Sequence, residues 1–270
     1  MDAFIHFFVN ATVHYWFMFP IAVLTALMAT SSGFGGAIIF FPIFVYALGM
    51  KVPEAIGTGM VTELCGMTSA MIGYTRQRQI EYSMAFPLVL LTIPGVVIGL
   101  HLAMVLDEAV MKIFFGLVVA ACAVWTFVSM AERKYGNREG FLTEEIYPYA
   151  WVGFAGGVSS GLSSVGTAET VFPLLERVYN MNVHRAIATT VVVEGLAGWV
   201  ATSINIWEGK IRWEVAILTM SGVLIGGQLG PVFNRLAPGS ILKIVFSLFV
   251  FLTGVKMIYD NIGMITGLLR

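Results

Sequence analysis

The chain has 270 residues, 58% of them hydrophobic and 11% charged, with a formal net charge of −1 and a mean hydropathy of +0.85. Soluble domains carry about 25% charge, so this composition describes an integral membrane protein, and its near-neutral balance offers no basic surface for nucleic acid. Zinc-ligand and P-loop spacings do not occur, which argues against ATP-driven roles and implies no cofactor.

Met1 to His14 contains no Lys or Arg ahead of its first apolar run, unlike a cleaved signal peptide, so the first segment is expected to stay in the bilayer. Residues 14–49 form one long apolar stretch, interrupted at Ser31-Ser32-Gly33-Phe34-Gly35-Gly36. An unbroken helix of that length would rise about 54 Å against a hydrocarbon core of roughly 30 Å, so the chain must fold back there, with a second leg of about 14 residues. Ordinary spans are predicted over 54–74, 83–105 and 109–131, with a water-facing loop at Thr75–Glu81 and the longest loop at Glu132–Glu145. The pattern then recurs. Residues 146–180 are again overlong and interrupted, at Ser159-Ser160-Gly161-Leu162-Ser163-Ser164-Val165-Gly166-Thr167, and spans follow at 183–205, 213–234 and 239–259, with a loop at Glu208–Glu214.

The recurrence has a fixed offset of 131 residues: position 32 pairs with 163, Gly35 with Gly166, Phe41-Pro42 with Phe172-Pro173, Thr58 with Thr189, and Glu63 with Glu194, giving 17 identical pairs over the 68 positions from 32 to 99. The chain therefore reads as an internal duplication, with a first transmembrane repeat over 1–131, a connecting loop over 132–145 and a second repeat over 146–270. Folding back at each break gives each repeat an odd number of crossings, so the expected fold is an all-α membrane protein of two inverted repeats, each of about five segments with a broken helix pair. The Lys and Arg tally splits the same way for inverted and parallel copies, so topology rests on segment length alone.

A helix that starts at membrane depth presents unpaired N–H groups and the positive end of its dipole, which together favour an anion. The expected substrate site is therefore Ser31, Ser32, Gly33, Gly35 and Gly36 of the first break with Ser163, Ser164, Gly166 and Thr167 of the second, the glycines admitting a ligand and the hydroxyls donating to it. The competing reading makes these small residues helix-packing positions. Glu63 and Glu194 lie mid-helix, where a carboxylate costs several kcal/mol unless paired, hydrated or protonated, and as a symmetry-related pair they are candidates to carry protons; structural hydrogen bonding is the alternative. Glu169 follows the second break and has Ile38 as its counterpart, so duplication assigns it no role. His184 and Arg185 stand at a helix start and could attract an anion, although residues there are commonly interfacial anchors. Gly95 and Gly99, with Gly226 and Gly230, read as close-packing pairs, and Cys65 and Cys122 as small packing residues.

Gly33-Phe34-Gly35-Gly36, Pro42 and Ala55-Ile56-Gly57-Thr58 resemble the glycine-rich break, short proline-containing helix and following segment of the sulfite exporter TauE/SafE family, also called the 4-toluene sulfonate uptake permeases. The second repeat keeps Pro173 and Ala186-Ile187-Ala188-Thr189 but has Ser163-Ser164-Val165-Gly166-Thr167 where glycines usually stand. The resemblance covers nearly the whole chain and implies a multi-pass cytoplasmic (inner) membrane transporter, not an enzyme, that moves sulfite, sulfonates or related sulfur-containing anions. Its partners would be the small anionic substrate, protons and the lipid bilayer, with alternating access between the repeats. An anion channel of the same architecture is the alternative, and an intramembrane serine protease built on Ser163 and His184 is disfavoured because the serine is itself duplicated at Ser32.

Overall fold

The computed structural model describes residues 11–131, 138, 140–236, 251–252 and 254–260, so most of the predicted 239–259 span, the start of the N-terminal segment and part of the 132–145 loop lie outside the described residues. Among the described residues the regular elements are all helices. They include α1 (Met18–Ser32), α2 (Ala37–Pro42), α3 (Val52–Arg76), α4 (Tyr82–Val105) and α5 (Glu108–Ala131), then a short α6 (Thr143–Ile146), α7 (Trp151–Ser163), α8 (Thr167–Pro173), α9 (Val183–Trp207) and α10 (Trp213–Leu236), with further helical residues at 11–15, 251–252 and 254–260. Both short helices end in proline and continue as one π-helical turn, Ile43–Ala47 after α2 and Leu174–Val178 after α8. Proline has no N–H to donate to the i−4 carbonyl, and the wider turn accommodates that loss.

The element boundaries follow the offset found in the sequence: both ends of α3 and α4 recur 131 residues later as the ends of α9 and α10. Among the described residues α4, α9 and α10 are long and apolar enough to cross a membrane. Helix α3 is as long as α9, at 25 residues, but carries Thr58, Thr62, Glu63, Thr68 and Ser69 and lies inside the bundle, so its polar groups meet protein instead of lipid. Large apolar side chains such as Phe86, Leu90, Leu117, Trp199, Ile206 and Trp207 are exposed on the outer surface, which suits hydrocarbon.

The halves hold each other by exchanged contacts. Helix α1 runs beside α10, where a Cβ on Gly226 would press into the Val23 carbonyl; α7 runs beside α4, where a Cβ on Gly95 would press into the Phe154 carbonyl. Those two contacts are related by the same offset. So are two hydrogen bonds, each 3.0 Å: the Glu81 N–H donates to Thr189 Oγ1, and the Arg212 N–H donates to Thr58 Oγ1. At the centre, α3 and α9 cross with opposite chain directions, Gly195 facing Met67 and Met71, Gly198 facing Leu64, and Asn205 Nδ2 reaching Met60 Sδ at 3.2 Å.

Because the glycines at 95 and 226 lie directly against a neighbouring backbone, which cannot swing away as a side chain can, Gly95→Ala and Gly226→Ala should each destabilise the protein by about 1–3 kcal/mol and by similar amounts. Thermal unfolding in detergent would measure this; a wild-type transition temperature for either variant would contradict the close approach.

Candidate functional site

Helix α1 is stopped by Gly33 in the left-handed region, φ 80°, with its N–H donating to the Ala29 carbonyl at 3.0 Å. At the equivalent place α7 is stopped by Ser164, φ 62°, with its N–H donating to the Ser160 carbonyl at 2.7 Å. A serine there carries about 1–2 kcal/mol of strain that glycine avoids, and its Oγ donates across the repeats to the Ile56 carbonyl at 3.2 Å. The chain then turns through 33–36 and through 164–166 before α2 and α8 begin. Gly35 and Gly166, the positions on which the predicted breaks depend, are both outside regular helix.

Three carboxylates converge on the first break. A Cβ placed on Gly35 would lie 3.0 Å from Glu63 Oε1, 3.1 Å from Glu194 Oε1 and 3.4 Å from Glu169 Oε1. Glu63 and Glu194 come from the middles of α3 and α9, and Glu169 from the first turn of α8. Glu169 and Glu194 are buried and Glu63 is partly buried. Three of the N–H groups that the breaks leave without helical partners are held by these acids. The Ala37 N–H donates to Glu63 Oε1 at 3.2 Å, the Gly35 N–H to Glu169 Oε1 at 3.0 Å, and the Gly166 N–H to Glu169 Oε2 at 2.7 Å. Glu194 faces the Ala168 N–H, the counterpart of Ala37, but neither of its oxygens reaches hydrogen-bond geometry with any described group. None of the three acids forms a salt bridge among the described residues. Beside them is a cavity lined in part by Glu63, Glu194, Ser160, Thr167, Met60 and Val96. Among the described residues no cluster of His, Cys, Asp and Glu is arranged to hold a metal ion.

The predicted hydroxyl donors divide. Ser31 and Ser32 donate to the Met28 carbonyl, Ser163 to the Ser159 and Val165 carbonyls, and Ser164 to Ile56, so all four are engaged with backbone. Thr167 Oγ1 is buried, lines the cavity and has no hydrogen-bond partner among the described residues. Gly33 packs against Ile187 and Phe172, and Gly36 stands 3.7 Å from Glu63 by the same Cβ measure. His184 Nδ1 pairs with Asn234 Oδ1 at 2.7 Å, and Asn234 Nδ2 donates to the Ser31 carbonyl at 2.8 Å, so the histidine ties α9 through α10 to the end of α1. Arg185 is bridged to Glu81 at 3.1 Å. Both basic residues bind together elements of the two repeats, and Ser163 and His184 do not form a pair. The role of Glu169 is the one that duplication could not supply. Its local signal is present all the same: Gly166-Thr167-Ala168-Glu169 has an acid three residues after a cap position, the spacing of a capping box.

A family model described as "Sulfite exporter TauE/SafE" matches residues 18–257. Among curated proteins, the chain is 23% identical over 232 residues to a "Probable membrane transporter protein" of Xylella fastidiosa (strain 9a5c), covering 85% of this chain and 89% of that one. It is 20% identical over 229 residues to a protein of the same description from Haemophilus influenzae, covering 84% and 88%. It is 25% identical over 255 residues to "Probable membrane transporter protein YjnA" of Bacillus subtilis (strain 168), covering 84% and 93%. No solved structure gives a significant match.

Proposed function

Because the chain belongs to the sulfite exporter TauE/SafE family, we propose that it is a secondary transporter carrying a small sulfur-containing oxyanion, of the sulfite or organosulfonate class, across the cytoplasmic membrane with protons. Membrane transport is the function of this family and the description its curated relatives carry. The carrying observation is the convergence of Glu63, Glu169 and Glu194 on Gly35. An anion entering within about 4 Å of a charged carboxylate meets a repulsion of about 4 kcal/mol per pair at an effective dielectric constant of about 20. Three such acids would exclude it unless they carry protons. Anion entry is thereby tied to proton uptake by the site's own composition, with Glu63 and Glu194 as the proton carriers, and Gly33, Gly35, Gly36, Gly166 and Thr167 as the residues around the seat.

Alternating access follows if the two repeats are inverted and rock about this centre. In favour of that arrangement are the opposite chain directions of α3 and α9 at their crossing and the exchanged α1–α10 and α4–α7 contacts, each matched at the offset of 131. The expected result in proteoliposomes is saturable uptake of methanesulfonate or sulfite that accumulates along an imposed pH gradient and stops when the gradient is collapsed. Flux that never saturates and ignores the gradient would assign the protein to the channels instead.

A further inference from the structure

We propose that Glu169 is a tethered occupant of the anion seat, displaced by the substrate when it takes up a proton; this rests on the anion-transport reading above. Its carboxylate is the one group among the described residues that spans both breaks, with Oε1 accepting from Gly35 in the first repeat at 3.0 Å and Oε2 from Gly166 in the second at 2.7 Å. Two oxygens on one carbon, each receiving an N–H from a different repeat, is the arrangement that two oxygens on the sulfur of a sulfite or sulfonate would reproduce. Glu169 is thus a built-in copy of the ligand's head. A side chain that already satisfies both donors leaves nothing for an incoming anion, so substrate and Glu169 must alternate.

The proton decides which of them is bound. A carboxylate accepts both N–H bonds strongly, whereas in a neutral carboxyl one oxygen becomes a donor and only a poor acceptor, so protonation weakens the bridge on that side and opens it. The proton forms an O–H bond on Glu169 and comes from water through the cavity acids; it returns by the same route when the anion leaves and the bridge re-forms. The titratable groups facing Glu169 are Glu63 from α3, Glu194 from α9 and the Cys122 thiol from α5. Two further groups fit an incoming ligand. Thr167 Oγ1, in a residue 1% exposed, and both oxygens of Glu194, 6% exposed, line the same cavity without partners among the described residues while Glu169 holds the seat. With Glu169 withdrawn, the Thr167 hydroxyl and a protonated Glu194 are donors for the third oxygen of the anion. Repeat 1 has Ile38 at the equivalent position, so the seat has one tethered competitor and not two.

Methanesulfonate keeps its single charge from mildly alkaline to mildly acidic solution, so any pH dependence of its binding belongs to the protein. In wild-type protein its affinity should rise at least about tenfold on acidification. Glu169→Gln, which cannot bridge both N–H groups as an acceptor, should bind at alkaline pH more tightly than wild type and show a shallower pH dependence, the remainder belonging to Glu63 and Glu194. Glu169→Asp, too short to reach both donors, should fall between them. A Gln variant that keeps the wild-type pH profile would overturn the proposal. A separate readout needs neither ligand nor variant: amide hydrogen exchange, corrected for the intrinsic effect of pH, should show Gly35 and Gly166 protected in alkali and released in acid. Protection that does not change with pH would overturn the displacement of Glu169 even where sulfonate binds. Failure of wild type to bind any sulfonate or sulfite, with the exchange change intact, would instead overturn the anion-transport reading.

Discussion

Proteoliposomes carrying Glu63→Gln or Glu194→Gln should lose accumulation driven by a pH gradient by at least about tenfold while still exchanging labelled for unlabelled substrate at equal pH on both sides. Glutamine preserves the shape of glutamate and removes its ability to change charge, so the substitution separates carrying an anion from being driven by protons. The two positions are not equivalent in what else they hold. Glu63 Oε1 accepts from the Ala37 N–H at 3.2 Å, and a glutamine oxygen can make the same bond, so the start of α2 stays anchored. Glu194 makes no hydrogen bond to any described group, so Glu194→Gln breaks none there. Both variants are therefore expected to fold, and the defect should appear in coupling and not in yield. The idea fails if both variants concentrate substrate against its gradient as wild type does. Loss of exchange together with accumulation would mean instead that the acids shape the seat and do not drive it.

Much of this site is legible in the residues because its signals are either local or periodic. The breaks follow from glycine and serine inside apolar stretches too long for one helix, and the pairing of Glu63 with Glu194 follows from a gapless offset that the element boundaries also obey. Other features need three dimensions. Ser31, Ser32 and Ser163 look like ligand donors because hydroxyls gather at the breaks, yet each bonds back to a carbonyl three or four residues earlier, the usual recourse of serine within a helix. The small residues of the second interruption begin at Ser159, whereas α7 runs on to Ser163, since glycine and serine remain helical where a neighbouring backbone packs against them. Glu169 shows the limit most clearly. Its cap on Gly166 is three residues away and has a sequence signature, but its bond to Gly35 joins residues 134 apart, and no local pattern records a contact of that kind.

Gly35→Ala should fold normally and transport at least about tenfold more slowly, whereas Gly166→Ala, the same change at the matching position, should fail to give stable protein. The difference lies in what each added methyl would meet. At Gly35 the new Cβ lies 3.0–3.4 Å from three carboxylate oxygens, the far ends of side chains with freedom to move, and the backbone is not in the left-handed region. The protein can yield there only by spreading the cluster of acids, and that spreads the groups on which anion and proton depend. At Gly166 φ is 147°, the Cβ would drive into the Ser159 side chain, and the Gly156 carbonyl stands 2.8 Å away. Overpacking of about 1–3 kcal/mol then adds to backbone strain of about 1–3 kcal/mol, a large part of the roughly 5–15 kcal/mol by which a typical protein is stable. Size-exclusion profiles in detergent and initial uptake rates would test both halves of the prediction. A Gly35→Ala protein that carries substrate at the wild-type rate would detach the three carboxylates from transport, because no alanine can occupy that position without moving at least one of them.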